Sequence, residues 1–137
     1  MHSPSDKTKP SSPYQNAELD AAERTRDLIS RMTLGAKAPQ IMGVWNEKAD
    51  KLVDEHGRFD AGKAKQAFKD GNGLGQVGRP NDAGGGLSAR ELGGLTNAIQ
   101  RFFVENSRLG IPVVFHEECL HGLMAAESTS FSQPIGL

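Results

Sequence analysis

Residues 88–115 read SARELGGLTNAIQRFFVENSRLGIPVVF and contain the strongest predicted helix of the chain. Ser88 and Glu91 have the spacing of a capping box, which predicts that the helix begins here. The apolar residues that follow recur at helical spacing and form one face: Leu92, Leu95, Ile99, Phe102 and Phe103. Gly110 is predicted as the C′ residue that ends the helix, and Pro112 just beyond it prevents continuation.

A short apolar run follows this helix and predicts a strand. Ile111–Phe115 is rich in β-branched residues and has the length of a buried strand. Leu74 and Val77, before the helix, are predicted to lie in another short strand. The order strand, helix, strand is the βαβ unit of a parallel sheet, so the predicted fold class is α/β.

The first part of the chain predicts a polar lead-in followed by short helices. Met1–Leu19 is rich in Ser, Pro and Lys and is predicted to be flexible. Asp20 and Glu23 have capping-box spacing and predict a helix over residues 21–32. Its buried stripe is predicted to be Leu28, Ile29 and Met32. Further short helices are predicted after Thr33, where Pro39 weakens the pattern, and over residues 60–70.

Composition limits the class of protein. The 137 residues fit one domain, with 36% hydrophobic residues, 16 glycines and a net charge of -1. The charge balance gives no indication of a nucleic-acid partner, and no apolar run approaches the ~18 residues of a membrane span. Cys119 is the only cysteine, so an intrachain disulfide is impossible. Met1–Leu19 lacks the apolar core of a signal peptide, which predicts a cytoplasmic protein; a secreted or periplasmic form whose leader was removed remains the alternative.

The densest group of reactive side chains follows the predicted strand directly. Residues 116–122 read HEECLHG and hold two imidazoles, two carboxylates and a thiol. Polar groups at the carboxyl end of a parallel strand face the crevice where α/β proteins bind ligands. The segment is therefore the candidate site.

Several known chemistries do not fit this group. His116 and His121 are five apart, not the four that a helical zinc-protease motif requires. Glu118 and His121 have the spacing of half a di-iron site, but no second copy exists. A nucleophilic Cys119 paired with a His would lack an oxyanion hole. A plainer alternative is a turn in which His121 bonds nearby backbone and the glutamates are solvated, and no metal is predicted.

The glycine-rich segment also fails a cofactor test. Gly73, Gly75 and Gly78 fit G-x-G-x-x-G, but Arg79 and Pro80 follow where a helix should begin. No clear strand precedes them, so the dinucleotide-binding context is missing. Glycines in turns explain the segment, and no cofactor is predicted.

Taken together, these segments resemble glycoside hydrolase family 3. Asn97–Glu105 followed by Arg108–Leu123 is similar to the helix and second-strand signature of the family, and residues 109–122 are its most specific run. Further segments match in order and at family-like spacing: Arg26–Leu34, Gly73–Arg79 and Thr129–Leu137. The chain departs from the family at Gly35 and Ala36, where two acidic residues are common, and at Ser132, where Pro is usual.

The resemblance implies the N-terminal portion of a (β/α)₈ TIM-type barrel, formed by residues 20–137 and incomplete. Family members are retaining β-glucosidases or β-xylosidases that act on non-reducing ends of β-linked oligosaccharides. Their nucleophile and acid/base lie later in the chain, and such a barrel needs ~250 residues. We therefore expect no catalytic residue among these 137. The apolar residues 131–137 suggest a truncated chain that lacks the C-terminal part of its own barrel and is inactive alone.

The resemblance also implies the site residues. Glu118 matches a carboxylate that binds the non-reducing sugar, and His121 matches a residue that positions groups near it. Arg79, at a strand end, is a further candidate contact. Since glucosidases of the family often carry Asp at the position of Glu118, the longer side chain favours xylose. The alternative is a small non-catalytic module that binds a sugar or a metal through residues 116–121.

Overall fold

A computed structural model describes residues 12–133 and divides the chain into two units, residues 1–34 and 35–137. In the first unit, helix α1 (Ala21–Arg31) begins at Asp20, whose carboxylate accepts hydrogen bonds from the backbone N–H groups of Ala22 and Glu23. This confirms the predicted helix start. The contacts between residues divide the chain after Leu34. The domain boundary predicted at residue 20 stays a prediction.

The predicted buried stripe of α1 is wrong. No residue of this helix is fully buried, and Ile29 is 49% exposed. Within its unit the helix packs against one 3₁₀ turn, Pro13–Gln15, which holds it through polar contacts. Arg24 Nε donates to the Tyr14 carbonyl, and the Tyr14 N–H donates to Asp27. The described end of the predicted flexible lead-in is therefore ordered on α1, and residues 1–11 lie outside the described part.

The second unit alternates short helices with a parallel sheet. Its helices are α2 (Leu34–Lys37, which starts at the unit boundary), α3 (Lys48–Lys51), α4 (Ala61–Ala67) and α5 (Ala89–Asn106), with 3₁₀ segments at Ala38–Ile41 and Pro80–Gly85. Its strands are β1 (Gly43–Val44), β2 (Gln76–Gly78) and β3 (Val114–His116). Over residues 12–133, no helix combines the length and the apolar character that a bilayer span requires.

The sheet has the order β1-β2-β3, with both pairs parallel. The strand–helix–strand order predicted for the second half of the chain is thus present as β2, α5 and β3. Strand β1 was not predicted, because two residues are too few to show a periodic pattern. Strand β3 begins three residues later than predicted and is not fully buried, since Val114 is 63% exposed.

Helix α5 begins at Ser88 with a complete capping box, as predicted. It ends at Asn106, before the predicted stop at Gly110. Its C-cap residue, Ser107, has an extended backbone, and side chains add bonds to the carbonyls of the last turn: Asn106 Nδ2 donates to Phe102 O at 2.9 Å and Ser107 Oγ donates to Phe103 O at 2.6 Å. Gly110 has a φ of 59° and lies in the following loop.

One face of the sheet is covered and forms the core. Val44 and Val77 are in register on this face and are 2% and 0% exposed. They belong to the same buried cluster as Ile99 and Phe103 of α5. Burial of a side chain of this size contributes about 1.5–3 kcal/mol relative to an exposed one. Helix α5 thus supplies the apolar face that the sequence pattern predicts.

The other face of the sheet is open. Because side chains alternate along a strand, the open face carries Gly43, Gln76 and Val114 in one row and Gly78 and His116 in the next. Parallel sheets are almost always covered on both faces. The uncovered face of these three parallel strands is therefore available for packing against further protein structure.

The capping box makes one contribution to stability dependent on pH. The Ser88 hydroxyl and the Ser88 N–H both donate to the Glu91 carboxylate. These bonds, of which the one from the hydroxyl has the larger effect, hold the pKa of Glu91 below its usual value of 4.5. The stabilisation is therefore present above pH 4.5 and is lost as the pH falls through the folded-state pKa. We expect Glu91→Gln to reduce the acid dependence of the melting temperature. Glu105→Gln, on the same helix, is the control. If the melting temperatures of wild type and Glu91→Gln fell equally with decreasing pH, this assignment would be wrong.

Candidate functional site

The carboxyl ends of the three strands meet at one edge of the sheet. Trp45 follows β1, Arg79 follows β2 and Glu117 follows β3. The Arg79 N–H donates to the His116 carbonyl at 2.8 Å and continues the pairing of β2 with β3 by one step. This is the edge at which the sequence placed the candidate site.

The side chain of Lys48 connects the ends of β1 and β2 by hydrogen bonds. The residue is only 5% exposed, and its Nζ donates to Trp45 O at 2.7 Å and to Gly78 O at 3.0 Å. The third ammonium proton faces Asp82 Oδ1 at 2.9 Å. A buried charge is tolerated only when it is paired and hydrogen-bonded, and here all three donors have an acceptor. Lys48 therefore fixes two strand ends and the Pro80–Gly85 segment relative to one another.

Arg79 lies beside an aromatic ring and an acid. Its guanidinium carbon is 5.9 Å from the centre of the Trp45 ring, within the range of a cation–π contact. Its Nε is 3.4 Å from Asp82 Oδ2. Arg79 itself has a φ of 46° and a ψ of 58°, a left-handed conformation that is uncommon for residues other than glycine. The sequence indicated Arg79 but gave no signal for Trp45 or Asp82.

His116 lies over the backbone of β2 on the open face. A Cβ atom built on Gly78 would come within 2.9 Å of His116 Nε2 and 3.5 Å of the Trp45 Cβ. A side chain at position 78 would therefore displace the His116 imidazole, whereas its distance to the Trp45 Cβ would be an ordinary van der Waals contact. This is a packing role for one of the glycines that the sequence analysis assigned to turns.

Glu117 and Asn81 connect the segment after β3 to the segment after β2. Glu117 Oε1 accepts a hydrogen bond from the Asn81 N–H at 3.1 Å, and Asn81 Nδ2 donates to Met124 O at 2.6 Å. Asn81 is 2% exposed, and its Oδ1 is buried without a hydrogen-bond partner within the described residues. Sequence reasoning missed Asn81, which belongs to no motif, and it included Glu117 in the candidate segment without predicting this bond.

The residues predicted from the resemblance lie at or after the same edge but do not touch one another. Glu118 is exposed and has no hydrogen bond or ion pair to any of residues 12–133. His121 is half-buried, and its backbone carbonyl accepts from the Phe131 N–H. Neither residue forms a polar contact with Arg79 in this part of the chain. Their roles as substrate ligands therefore remain predictions.

A cleft of about 320 Å³ lies beside this edge. It is lined by Trp45 and by residues of α3, of the segment that follows α3 and of the Pro80–Gly85 segment. Its lining includes Trp45, Asn46, Ala49 and Asp82. Within the described part of the chain, no three His, Cys, Asp or Glu side chains are arranged to hold a metal ion.

Comparisons with known proteins find similarity to two proteins with glycosidase names. No protein-family model matches the chain. A Formosa agariphila protein named "Putative beta-xylosidase" is 29% identical over 123 residues, which is 89% of this chain and 16% of that protein. A solved β-glucosidase of Erythrobacter marinus, EmGH1, is 30% identical, with a TM-score of 0.63, over 86% of this chain and 14% of that structure. The chain thus spans about one sixth or less of the length of each.

Proposed function

We propose that this chain is part of the barrel domain of a retaining β-glycosidase of glycoside hydrolase family 3, with β-xylosidase-like specificity. The similarity to two larger proteins named as a β-xylosidase and a β-glucosidase supports the glycosidase assignment. The family-specific run at residues 109–122 supports the choice of family. The observation that carries the proposal is the matching parallel sheet with the predicted carboxylate beyond the end of its third strand.

The open face of the sheet supports the barrel. In a (β/α)₈ barrel, each strand has one face toward the surrounding helices and one toward the barrel interior. The core side of this sheet packs with α5, and the opposite side carries His116, Gly78 and Val114. Its exposure follows if the remaining strands of the barrel are supplied by the rest of a larger protein. Residues 35–133 would then form about three of the eight strand positions.

The alternation of side chains supports the role of Glu118. Val114 and His116 point to the open face, so Glu118, two residues further on, continues on that side if the segment stays extended. Glu117 faces the other way and is held by Asn81. An exposed carboxylate at the mouth of the barrel accepts charge-assisted hydrogen bonds from two neighbouring sugar hydroxyls and so orients the ring.

The two groups that break the glycosidic bond are proposed to come from the rest of the protein. A retaining enzyme needs a nucleophile and an acid/base about 5–5.5 Å apart. Glu117 is engaged by backbone, and Glu118 has the role of a ligand in the family. The residues of this chain therefore bind and orient the substrate, while the covalent step takes place on carboxylates from later in the barrel.

Assay of the protein encoded by the complete reading frame tests the proposal. We expect it to hydrolyse aryl β-xylosides with release of β-xylose first, whereas the 137-residue chain turns over none. A 2-deoxy-2-fluoro-xyloside should trap a covalent adduct on an acidic residue beyond position 137. Turnover by the 137-residue chain, or initial release of α-xylose by the complete protein, would refute the proposed mechanism.

A further inference from the structure

The cleft beside Trp45 has a built arrangement of aromatic and polar groups that the proposed role of Glu118 does not use. Trp45 is 38% exposed although it directly follows a buried strand residue. Its backbone is fixed, because the Trp45 carbonyl accepts from the buried Lys48 ammonium. The exposed indole is therefore attached to a rigid backbone. This favours binding, because little conformational entropy of the backbone is lost when a ligand binds.

The polar side of the cleft is also held in place. Asp82 faces Lys48 through Oδ1 and Arg79 through Oδ2, and its side chain is still 37% exposed. Each carboxylate oxygen has more than one acceptor position, so Asp82 retains capacity for a ligand hydroxyl. Asn46 lines the same cleft, is exposed and offers both a donor and an acceptor.

This combination fits a pyranose ring. The faces of a β-linked pyranose carry C–H groups, which the negative face of an indole attracts, while the hydroxyls on the ring edge need fixed donors and acceptors. Ligand pockets commonly enclose about 300–1,000 Å³, so a cleft of this volume accepts one ring rather than a chain. A hard metal ion such as calcium binds oxygen ligands and would use the Asp82 carboxylate rather than the indole ring.

We infer that the Trp45 cleft binds a second sugar unit of the oligosaccharide, next to the unit that Glu118 holds. The inference rests on the proposed function for the identity of the substrate. The cleft and Glu118 belong to the same edge of the sheet, since Arg79 contacts Trp45 and also pairs with His116. Trp45 is then a specificity residue for the group attached to the sugar unit that Glu118 holds.

The chain offers a direct measurement, because Trp45 is its only tryptophan. We expect xylotriose to change the fluorescence of Trp45 and to shift the NMR signals of the Trp45 indole N–H, Asn46 and Ala49 in the 137-residue chain. Xylose should give smaller changes at the same positions. Calcium chloride is the competing probe, and shifts at these positions with calcium but not with xylotriose would overturn the inference.

Variants separate the aromatic wall from general effects on the fold. By calorimetry, Trp45→Ala should raise the Kd for xylotriose by roughly tenfold or more, a difference of about 1.4 kcal/mol. Asn46→Ala should raise it less, and Met42→Ala, an exposed apolar residue outside the cleft, should leave it unchanged. Circular dichroism verifies the fold of each variant. Equal affinity of wild type and Trp45→Ala would overturn the inference.

The outcome is distinguishable from that of the proposed function. If the complete protein hydrolyses aryl β-xylosides but xylotriose shifts only residues 116–121 of the chain, the proposed function stands and the cleft is not a sugar site. If xylotriose shifts the Trp45 cleft and the complete protein cleaves no glycoside, the cleft inference stands and the proposed function is wrong.

Discussion

Replacement of Glu118 with Ala in the complete enzyme is expected to lower kcat/KM for an aryl β-xyloside by more than about 100-fold. In the proposed site this carboxylate accepts two hydrogen bonds from sugar hydroxyls, and a hydrogen bond to a charged group contributes about 1.5–3 kcal/mol. A loss of about 3 kcal/mol in the free energy of the transition state corresponds to a factor of more than 100. Steady-state kinetics measure the change directly.

Two variants control this experiment. Glu127→Ala removes another exposed carboxylate of the same segment and is expected to leave kcat/KM within about twofold, as is usual for an isolated surface change. Glu118→Asp tests the predicted preference for xylose. The shorter side chain leaves more room for the C6 hydroxymethyl group, which glucose has and xylose lacks, and should favour the glucoside over the xyloside. An unchanged kcat/KM for Glu118→Ala would remove this residue from the substrate site.

Replacement of Lys48 with Met is expected to lower the free energy of unfolding of the second unit by about 1–3 kcal/mol. Met keeps most of the aliphatic volume but removes the ammonium, so the carbonyl groups of Trp45 and Gly78 lose their side-chain donor at the strand ends. The Trp45 carbonyl keeps the Lys48 backbone N–H as a donor at 3.3 Å, so the cost falls mainly on the Gly78 carbonyl. A buried polar group left unsatisfied costs about 1–3 kcal/mol. Asp82 also loses its partner, but it is partly exposed and can be solvated. Urea denaturation of the 137-residue chain measures the difference.

Lys51→Met is the matched control for Lys48→Met. Lys51 lies on the same helix, is 40% exposed and faces Glu47 at 3.8 Å. Exposed ion pairs contribute about 0–1 kcal/mol, so this variant should unfold at nearly the wild-type denaturant concentration. If both lysine variants were equally stable, the hydrogen bonds at the strand ends would have no measurable energetic role.

The sequence predicted those parts of the fold that depend on local patterns. The capping box at Ser88 and the apolar face of α5 were predicted because both signals lie within a few turns of one helix. The edge of the sheet was predicted as the site because a polar run follows an apolar one. Strand β1 was not, since its two residues take their structure from pairing with β2 and not from any pattern of their own.

The contacts that build the site could not be predicted. Lys48 is a charged residue in a polar stretch. Its burial depends on the Trp45 carbonyl, three residues earlier in the chain, and on the Gly78 carbonyl, 30 residues later. The bond between Glu117 and Asn81 spans 36 residues. Such pairings arise from the tertiary arrangement alone. The family, the xylose preference, the cytoplasmic location and the role of His121 stay predictions.

At Arg79 the backbone conformation favours glycine, whereas the proposed role of the side chain in the site requires arginine. Its left-handed conformation would be relieved by glycine, and a search for more heat-resistant variants would select that change. The same change would remove the guanidinium that lies between the indole ring and the Asp82 carboxylate. A residue in this conformation costs of order 1–3 kcal/mol and persists where its surroundings hold it, here through the bond to the His116 carbonyl and the contacts of the guanidinium. Thermostabilised variants carrying Gly at this position should accordingly be screened on oligosaccharides and not on chromogenic substrates alone.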